Sequence, residues 1–237
     1  MFANNANASI YLGRNAGVNC LDALERAKHE VKIVSPYLSP DYVKKLIRLK
    51  EKGIKIILIT SDKVEENNYS DFSHRDLIKQ KQIVDHESDD LRVKYLWVSG
   101  IMGLVSFLIG FIYIQLFILT AICLVAFIYG YNISIYDYKY YSLFKLRVFN
   151  SRKAIDGGRG YLIHSKIYVI DNRVAFLGSI NFTHNGFVKS YESSIKINDQ
   201  KSVTKISKEV DWLFGNADLE YINIEQWGKE LYHEPRN

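Results

Sequence analysis

Residues 162–181 read LIHSKIYVIDNRVAFLGSIN, and the architecture is worked outward from them. The two apolar runs, 162–170 and 174–177, have the length and β-branched content of strands. Side chains two apart on a strand share a face, so His164 and Lys166 stand side by side, a nucleophile next to a cation. Gly178 and Ser179 follow the second run. A small-residue turn there can bring backbone N–H groups, the Ser179 hydroxyl and the Asn181 amide toward the oxygens of a phosphate. The stretch therefore has the makings of an anion site at the end of a sheet.

On either side, short β-rich runs alternate with amphipathic helices, the pattern of an α/β domain. Strands are expected near 10–12 and over 31–35, 54–60 and 143–149. Helices are expected over 19–29, 41–52 and 74–84. The helix over 41–52 places Val43, Leu46, Ile47 and Leu49 close to one face, and Gly53 closes it. Asp156, Gly157, Gly158 and Gly160 make a loop before the strand over 162–170. The parts 1–94 and 137–237 each hold too few elements for a domain of their own, so one sheet drawn from both is expected.

Between those parts lies a segment of different character. Residues 95–136 contain no Asp, Glu, Lys, Arg or His. One helix of that length would be about twice as long as the ~30 Å hydrocarbon core, so the reading is a transmembrane hairpin of two helices, turning near 113–116 around Gln115. Ser99, Gly103, Ser106 and Gly110 form a small-residue stripe that lets the second helix approach. Tyr95 and Trp97 at one end, and Tyr129, Tyr131 and Tyr136 at the other, fall where headgroups would lie. Arg92, Lys94, Lys139, Lys145 and Arg147 flank the segment, and the positive-inside bias assigns both ends, with the α/β domain, to the cytoplasmic side. The N-terminal stretch has neither the basic start nor the apolar run of a cleaved signal peptide. Cys20 and Cys123 sit in unlike surroundings and suggest no disulfide framework or metal site. A formal net charge of +5 agrees with an anionic partner of any kind.

The spacing His164-x-Lys166-x4-Asp171-x6-Gly178-Ser179-x-Asn181 resembles the signature of the phospholipase D superfamily, with every named position filled. Six matches at fixed spacing would arise by chance in roughly three of a million chains this long, at about 5% usage per residue. The resemblance implies a phospholipase D-like mixed sheet flanked by helices, and phosphodiester hydrolysis without a metal or other cofactor. It implies that His164 attacks phosphorus while a second histidine protonates the leaving oxygen, and that Lys166, with Ser179 and Asn181, holds the phosphoryl oxygens. Asp171 supports the geometry of this catalytic set, and Glu192, in Tyr191-Glu192-Ser193, resembles the family glutamate that orients a histidine. The motif occurs once, and neither His74 nor His86 begins a second copy, so the resemblance implies a homodimer in which the other half-site comes from a second chain.

His29, His74, His86, His184 and His233 are read as structural or surface groups, and Trp212, Leu213 and Phe214 as a core-facing helix. Thr183 and Asn185 stand beside the motif as residues that could line the site. Nucleic acids and phospholipids present the same phosphodiester, so both remain as substrates. An endonuclease acting on DNA or RNA ranks first, a phospholipase D acting on lipids such as cardiolipin second, and an inactive membrane-bound nucleic-acid-binding protein last.

Overall fold

In the order of the chain the strands are β1 (Ala8–Gly13), β2 (Glu30–Val34), β3 (Lys55–Ser61), β4 (Ile78–Val84), β5 (Tyr136–Ser142), β6 (Lys145–Phe149), β7 (Lys166–Ile170), β8 (Val174–Gly178) and β9 (Glu192–Ile197). The helices are α1 (Val18–Glu25), α2 (Pro40–Glu51), α3 (His86–Gly110), α4 (Leu116–Tyr131), α5 (Gln200–Gly215) and α6 (Ile224–Leu231). The computed structural model describes residues 7–62, 77–150, 163–216 and 221–235. The glycine loop expected at 156–160 lies outside them.

Seven strands form one mixed sheet in the order β1-β9-β8-β7-β2-β3-β6. β2, β3 and β6 run parallel, whereas β7, β8, β9 and β1 follow antiparallel from β2. β6, from beyond the uncharged segment, pairs with β3 from before it, in the register Ile57↔Lys145 to Ser61↔Phe149. The two parts of the chain thus share a single sheet, as their element counts required. α5 buries Val203, Ile206 and Val210 on one face of the sheet, against Val34, Ile59, Val169, Ala175 and Ile197. Alternation along β7 sends Tyr168 to the opposite face, where its ring lies near Phe182 and Phe187, and Phe187 stacks on Tyr42 of α2. Burying these aromatic side chains, each worth ~2–3 kcal/mol when fully removed from water, fixes the loop that carries Phe182.

Two helical expectations fail in instructive ways. α1 ends at Glu25 rather than continuing to residue 29, because the N–H groups of Lys28, His29 and Glu30 turn to the Asp171 carboxylate, at 2.9, 2.7 and 3.0 Å. The helix expected over 74–84 is instead, from residue 78 onward, the strand β4. Lys and Gln are good helix formers, but Ile-Lys-Gln-Lys-Gln-Ile-Val also fits the two-residue period, and pairing with β5 decides the outcome.

The chain divides into two compact units. The first comprises residues 1–79 and 142–227 and holds the seven-stranded sheet; the second comprises 80–141 and 228–237. Within the second unit, Asp85 caps α3, its side chain accepting from the N–H groups of Glu87 and Ser88. The Ser88 hydroxyl and these N–H groups hold the Asp85 carboxyl below its ordinary range. Tyr140 donates to Glu234 at 2.7 Å, and burial together with that carboxylate pushes its phenol up to about 12.

α3 and α4 pack along the small-residue stripe. Ser99, Ser106 and Gly110 are buried, the Ser106 and Thr120 hydroxyls lie 2.9 Å apart, and Phe117 sits on Gly110. A Cβ on Gly130 would come within 2.6 Å of the Tyr95 Cβ, so this crossing excludes any side chain. The expectation of two full spans needs correction, however. Among the described residues α3, at 25 residues, is the one helix long and apolar enough to cross a membrane. α4 has 16, below the ~20 that a span requires, because the chain leaves the helix at Asn132.

Candidate active site

The site is assembled at one end of β7, β8 and β9 by cross-strand register. Lys166 opens β7 and faces Gly178 at the end of β8, which in turn faces Ser194 on β9. His164 lies two residues before Lys166, exposed, while the Lys166 side chain is buried. The ammonium donates to the His164 carbonyl at 2.8 Å and stands 3.3 Å from both ring nitrogens. The two side chains are side by side, but the strand expected from residue 162 begins only at Lys166, so the cation is held over the imidazole by its bond to the His164 carbonyl rather than by strand alternation.

Gly178 is required by space. A Cβ there would lie 2.0 Å from the Ser193 carbonyl oxygen and 2.9 Å from its carbon. The close approach lets Ser179 sit against β9, its N–H donating to the Ser193 carbonyl at 3.0 Å and its hydroxyl donating to Glu192. The same hydroxyl accepts from the Ser193 N–H at 3.0 Å. Glu192 and Ser179, separately chosen from sequence, are therefore direct partners. Asn181 is buried in the following loop and Thr183 is also buried, its hydroxyl accepting from the Gly186 N–H at 3.1 Å. Asn185 begins the short π-helical turn Asn185–Lys189.

Ser35 was not singled out by sequence reasoning. Fully buried after β2, it donates to the Tyr37 carbonyl at 2.8 Å and accepts from the Phe182 N–H at 2.9 Å. Tyr168 adds a bond from its hydroxyl to the Ile180 carbonyl at 2.6 Å. These two buried hydroxyls hold the loop behind Ser179. Burial drives the Tyr168 phenol well above its usual range, so it stays a donor at any working pH. A Ser-Pro pair after a strand carries no sequence signal that distinguishes this role from an ordinary turn.

Asp171 is elsewhere. β7 alone, at about 3.3 Å per residue, puts roughly 13 Å between its two ends, with Asp171 beyond the far one. Asp171 and Asn172 both have φ of +52°, and the Arg173 N–H bonds back to the Ile170 carbonyl at 3.0 Å, a primed turn within the three-residue connection between the paired Ile170 and Val174. Burial alone would raise the Asp171 pKa, but the N–H groups of Glu30, Lys28 and His29 outweigh it and hold the carboxyl below its ordinary value.

The family model described as cardiolipin synthase, PLD-like domain, matches residues 132–214, which include His164, Lys166, Asp171, Ser179, Asn181 and Glu192. No curated protein matches by sequence. Similar solved structures include NucT from Helicobacter pylori, at 17% identity over 86% of this chain and 93% of that one, with a TM-score of 0.48. Nuc from Salmonella typhimurium, described as a phospholipase D family member, is 15% identical over 89% of this chain and 97% of that one, with a TM-score of 0.45. Phosphatidylserine synthase from Haemophilus influenzae Rd KW20 is 16% identical over 98% of this chain and 43% of its own, with a TM-score of 0.46. The chain carries a phospholipase D-like domain, and the cluster around His164 lies within it.

Proposed function

We propose that the protein is a membrane-attached phosphodiesterase, an endonuclease acting on DNA or RNA through a phosphohistidine intermediate in a homodimeric site. The observation that carries this reading is the Lys166 ammonium 3.3 Å from the His164 ring, beside the Ser179–Glu192 pair. A neutral His164 nitrogen forms a bond to phosphorus as the phosphorus–oxygen bond to the leaving alcohol breaks. The leaving oxygen takes its proton from His164 of the partner subunit, and that imidazole then removes a proton from the water that hydrolyses the phosphohistidine. Lys166 offsets the charge on the non-bridging oxygens, Ser179 and Asn181 supply hydrogen bonds to them, and Glu192 fixes the Ser179 hydroxyl. Asp171 acts on geometry alone.

A lipid substrate is the second reading, favoured by the exposed apolar helix α3. In this proposal α3 and α4 enter a bilayer, with the sheet unit on the cytoplasmic side. The deciding experiment offers purified protein in nanodiscs labelled single-stranded DNA, RNA, cardiolipin and phosphatidylcholine, in EDTA, with His164→Ala as the blank. Nucleic-acid cleavage lost in the variant is the expected result. Lipid cleavage alone would replace the first reading by the second, and silence on all four substrates would refute both.

A further inference from the structure

The α3–α4 pair is uncharged at its tip and short in its legs, and the two facts together bear on how far it enters a membrane. Residues 86–94 of α3 carry Glu87, Asp89, Asp90, Arg92 and Lys94, so its uncharged part is 95–110, the same sixteen residues in length as α4. At 1.5 Å per residue each leg is ~24 Å long, against a hydrocarbon core of ~30 Å. Neither uncharged leg by itself spans that thickness, although α3 as a whole, with its charged first turns, is long enough to do so.

The connection 111–115 does not look like a turn made for water. Its residues are Phe111, Ile112, Tyr113, Ile114 and Gln115, with no Gly, Pro, Asn, Asp or charge, and Phe111, Ile112 and Ile114 are 72%, 76% and 76% exposed. Backbone groups in the turn bond to one another instead. The N–H groups of Ile112 and Tyr113 go to the Ile109 carbonyl at 2.8 and 3.0 Å, and those of Leu116, Phe117 and Ile118 go to the carbonyls of Tyr113, Ile114 and Gln115 at 2.9, 3.2 and 3.2 Å. The hydroxyls along the legs are satisfied in the same internal way. Ser99 donates to the Tyr95 carbonyl, Ser106 to that of Gly103 and Thr120 to that of Leu116. A turn that carries no charge, shows Phe111, Ile112 and Ile114 beside the polar Tyr113 and Gln115, and closes part of its own backbone bonding costs less to place in hydrocarbon than a charged loop, since each unsatisfied group there costs several kcal/mol. At the other end Tyr95 and Tyr129 pack edge to face, Trp97 and Tyr131 are exposed, Lys94 directly precedes Tyr95, and Asp137 is the first charge after α4. Of the Tyr and Trp residues between 95 and 131, all but Tyr113 therefore lie at the base of the pair.

We infer that the α3–α4 pair is re-entrant: it enters and leaves the bilayer through one face, and residues 111–115 end in hydrocarbon without reaching the opposite aqueous side. This rests on the membrane attachment proposed above and adds to it the depth and the single-sidedness. The partner is the acyl-chain region of a lipid bilayer, not a second span or a soluble protein.

The test uses the full chain in sealed liposomes of phosphatidylethanolamine and phosphatidylglycerol. Flotation is measured first. Tyr113→Cys and Ile114→Cys, both at exposed positions, are then compared with Lys139→Cys at the base, and labelling of the parent chain sets the background from Cys20 and Cys123. A membrane-impermeant maleimide is supplied outside only, then on both sides by freeze–thaw, then with detergent. The inference expects Lys139→Cys to label without detergent, and both tip variants to stay unlabelled with reagent on both sides and to label once detergent is added. Tip labelling from the side opposite Lys139→Cys would overturn the inference and leave membrane attachment standing. Tip labelling from the same side would mean that the pair lies on the surface, and a chain that does not float would remove attachment and inference together.

Discussion

Replacing Asp171 by Asn removes one charge and keeps the left-handed turn, since Asn adopts positive φ as readily as Asp. In the native chain the carboxylate accepts three N–H groups at 2.7–3.0 Å. In Asp171→Asn one amide oxygen can serve His29 and Glu30, but the amide nitrogen then meets the Lys28 N–H, donor against donor. A bond to a charged acceptor is worth ~1.5–3 kcal/mol net, so loss of one such bond and weakening of two, screened at a partly exposed site, comes to about 2 kcal/mol. At a typical slope of ~2 kcal/mol per molar urea, the unfolding midpoint in detergent micelles falls by about 1 M. The sign with pH follows from the lowered carboxyl. Its stabilisation is complete above the unfolded value of ~3.9 and is lost as pH falls through the lower folded value, so the gap between native chain and variant closes in acid. Turnover per folded molecule is expected to drop less than about tenfold, against near-total loss in His164→Ala, for the carboxylate is a strand's length from the imidazole. A variant of unchanged stability with abolished turnover, or a gap that persists undiminished to pH 3, would refute a purely positional role.

Gly178→Ala is expected to cost about 2–4 kcal/mol, because β8 and β9 must part by roughly 1 Å and give up the Ser179 N–H bond; an unchanged urea midpoint would contradict the crowding measured against Ser193. Ser35→Ala leaves the buried Phe182 N–H and Tyr37 carbonyl without their hydroxyl partner, for a loss of about 1–3 kcal/mol, and should lower turnover more than substrate affinity; wild-type kinetics would show that the loop needs no such support. Mixing native chains with an excess of His164→Ala chains should depress turnover below the native share through dead heterodimers, and strict proportionality would rule out a shared site.

The legible parts of this protein are those governed by local period or by composition. His164 and Lys166 could be placed together on the two-residue period of a strand, although β7 starts only at Lys166, and the partition of the chain followed from 42 uncharged residues. That the two parts would share one sheet followed from counting elements, since neither could close a core alone; that β3 and β6 are the strands that meet did not. What escaped were choices made by distant groups. Nothing within 19–29 announces that Lys28 and His29 will donate to a carboxylate 143 and 142 residues away rather than extend α1. Nor does the composition of 78–84 favour a strand until β5 is beside it. The shortness of α4 was equally hidden, as Asn132, Ile133 and Ser134 are neutral and the uncharged run continues past the point where the helix stops.

The remote Asp171 also explains how a motif can need a residue that never touches the reacting groups. Lys166 meets Gly178 and Ser179 meets Glu192 only in one register of β7, β8 and β9. A slip of one residue would send Lys166 to the α5 face and Ile167 to the site, because alternate side chains exchange faces. Two features prevent that slip at the far end of β7. Asp171, Asn172 and Arg173 close the β7–β8 hairpin in three residues, which sets the pairing between those strands. The Asp171 carboxylate then ties the turn to the N–H groups of Lys28, His29 and Glu30, which sets β7 against β2. A side chain at one end of a strand thus fixes which side chains face one another at the other end, and the spacing from Lys166 to Asp171 is the length of that strand.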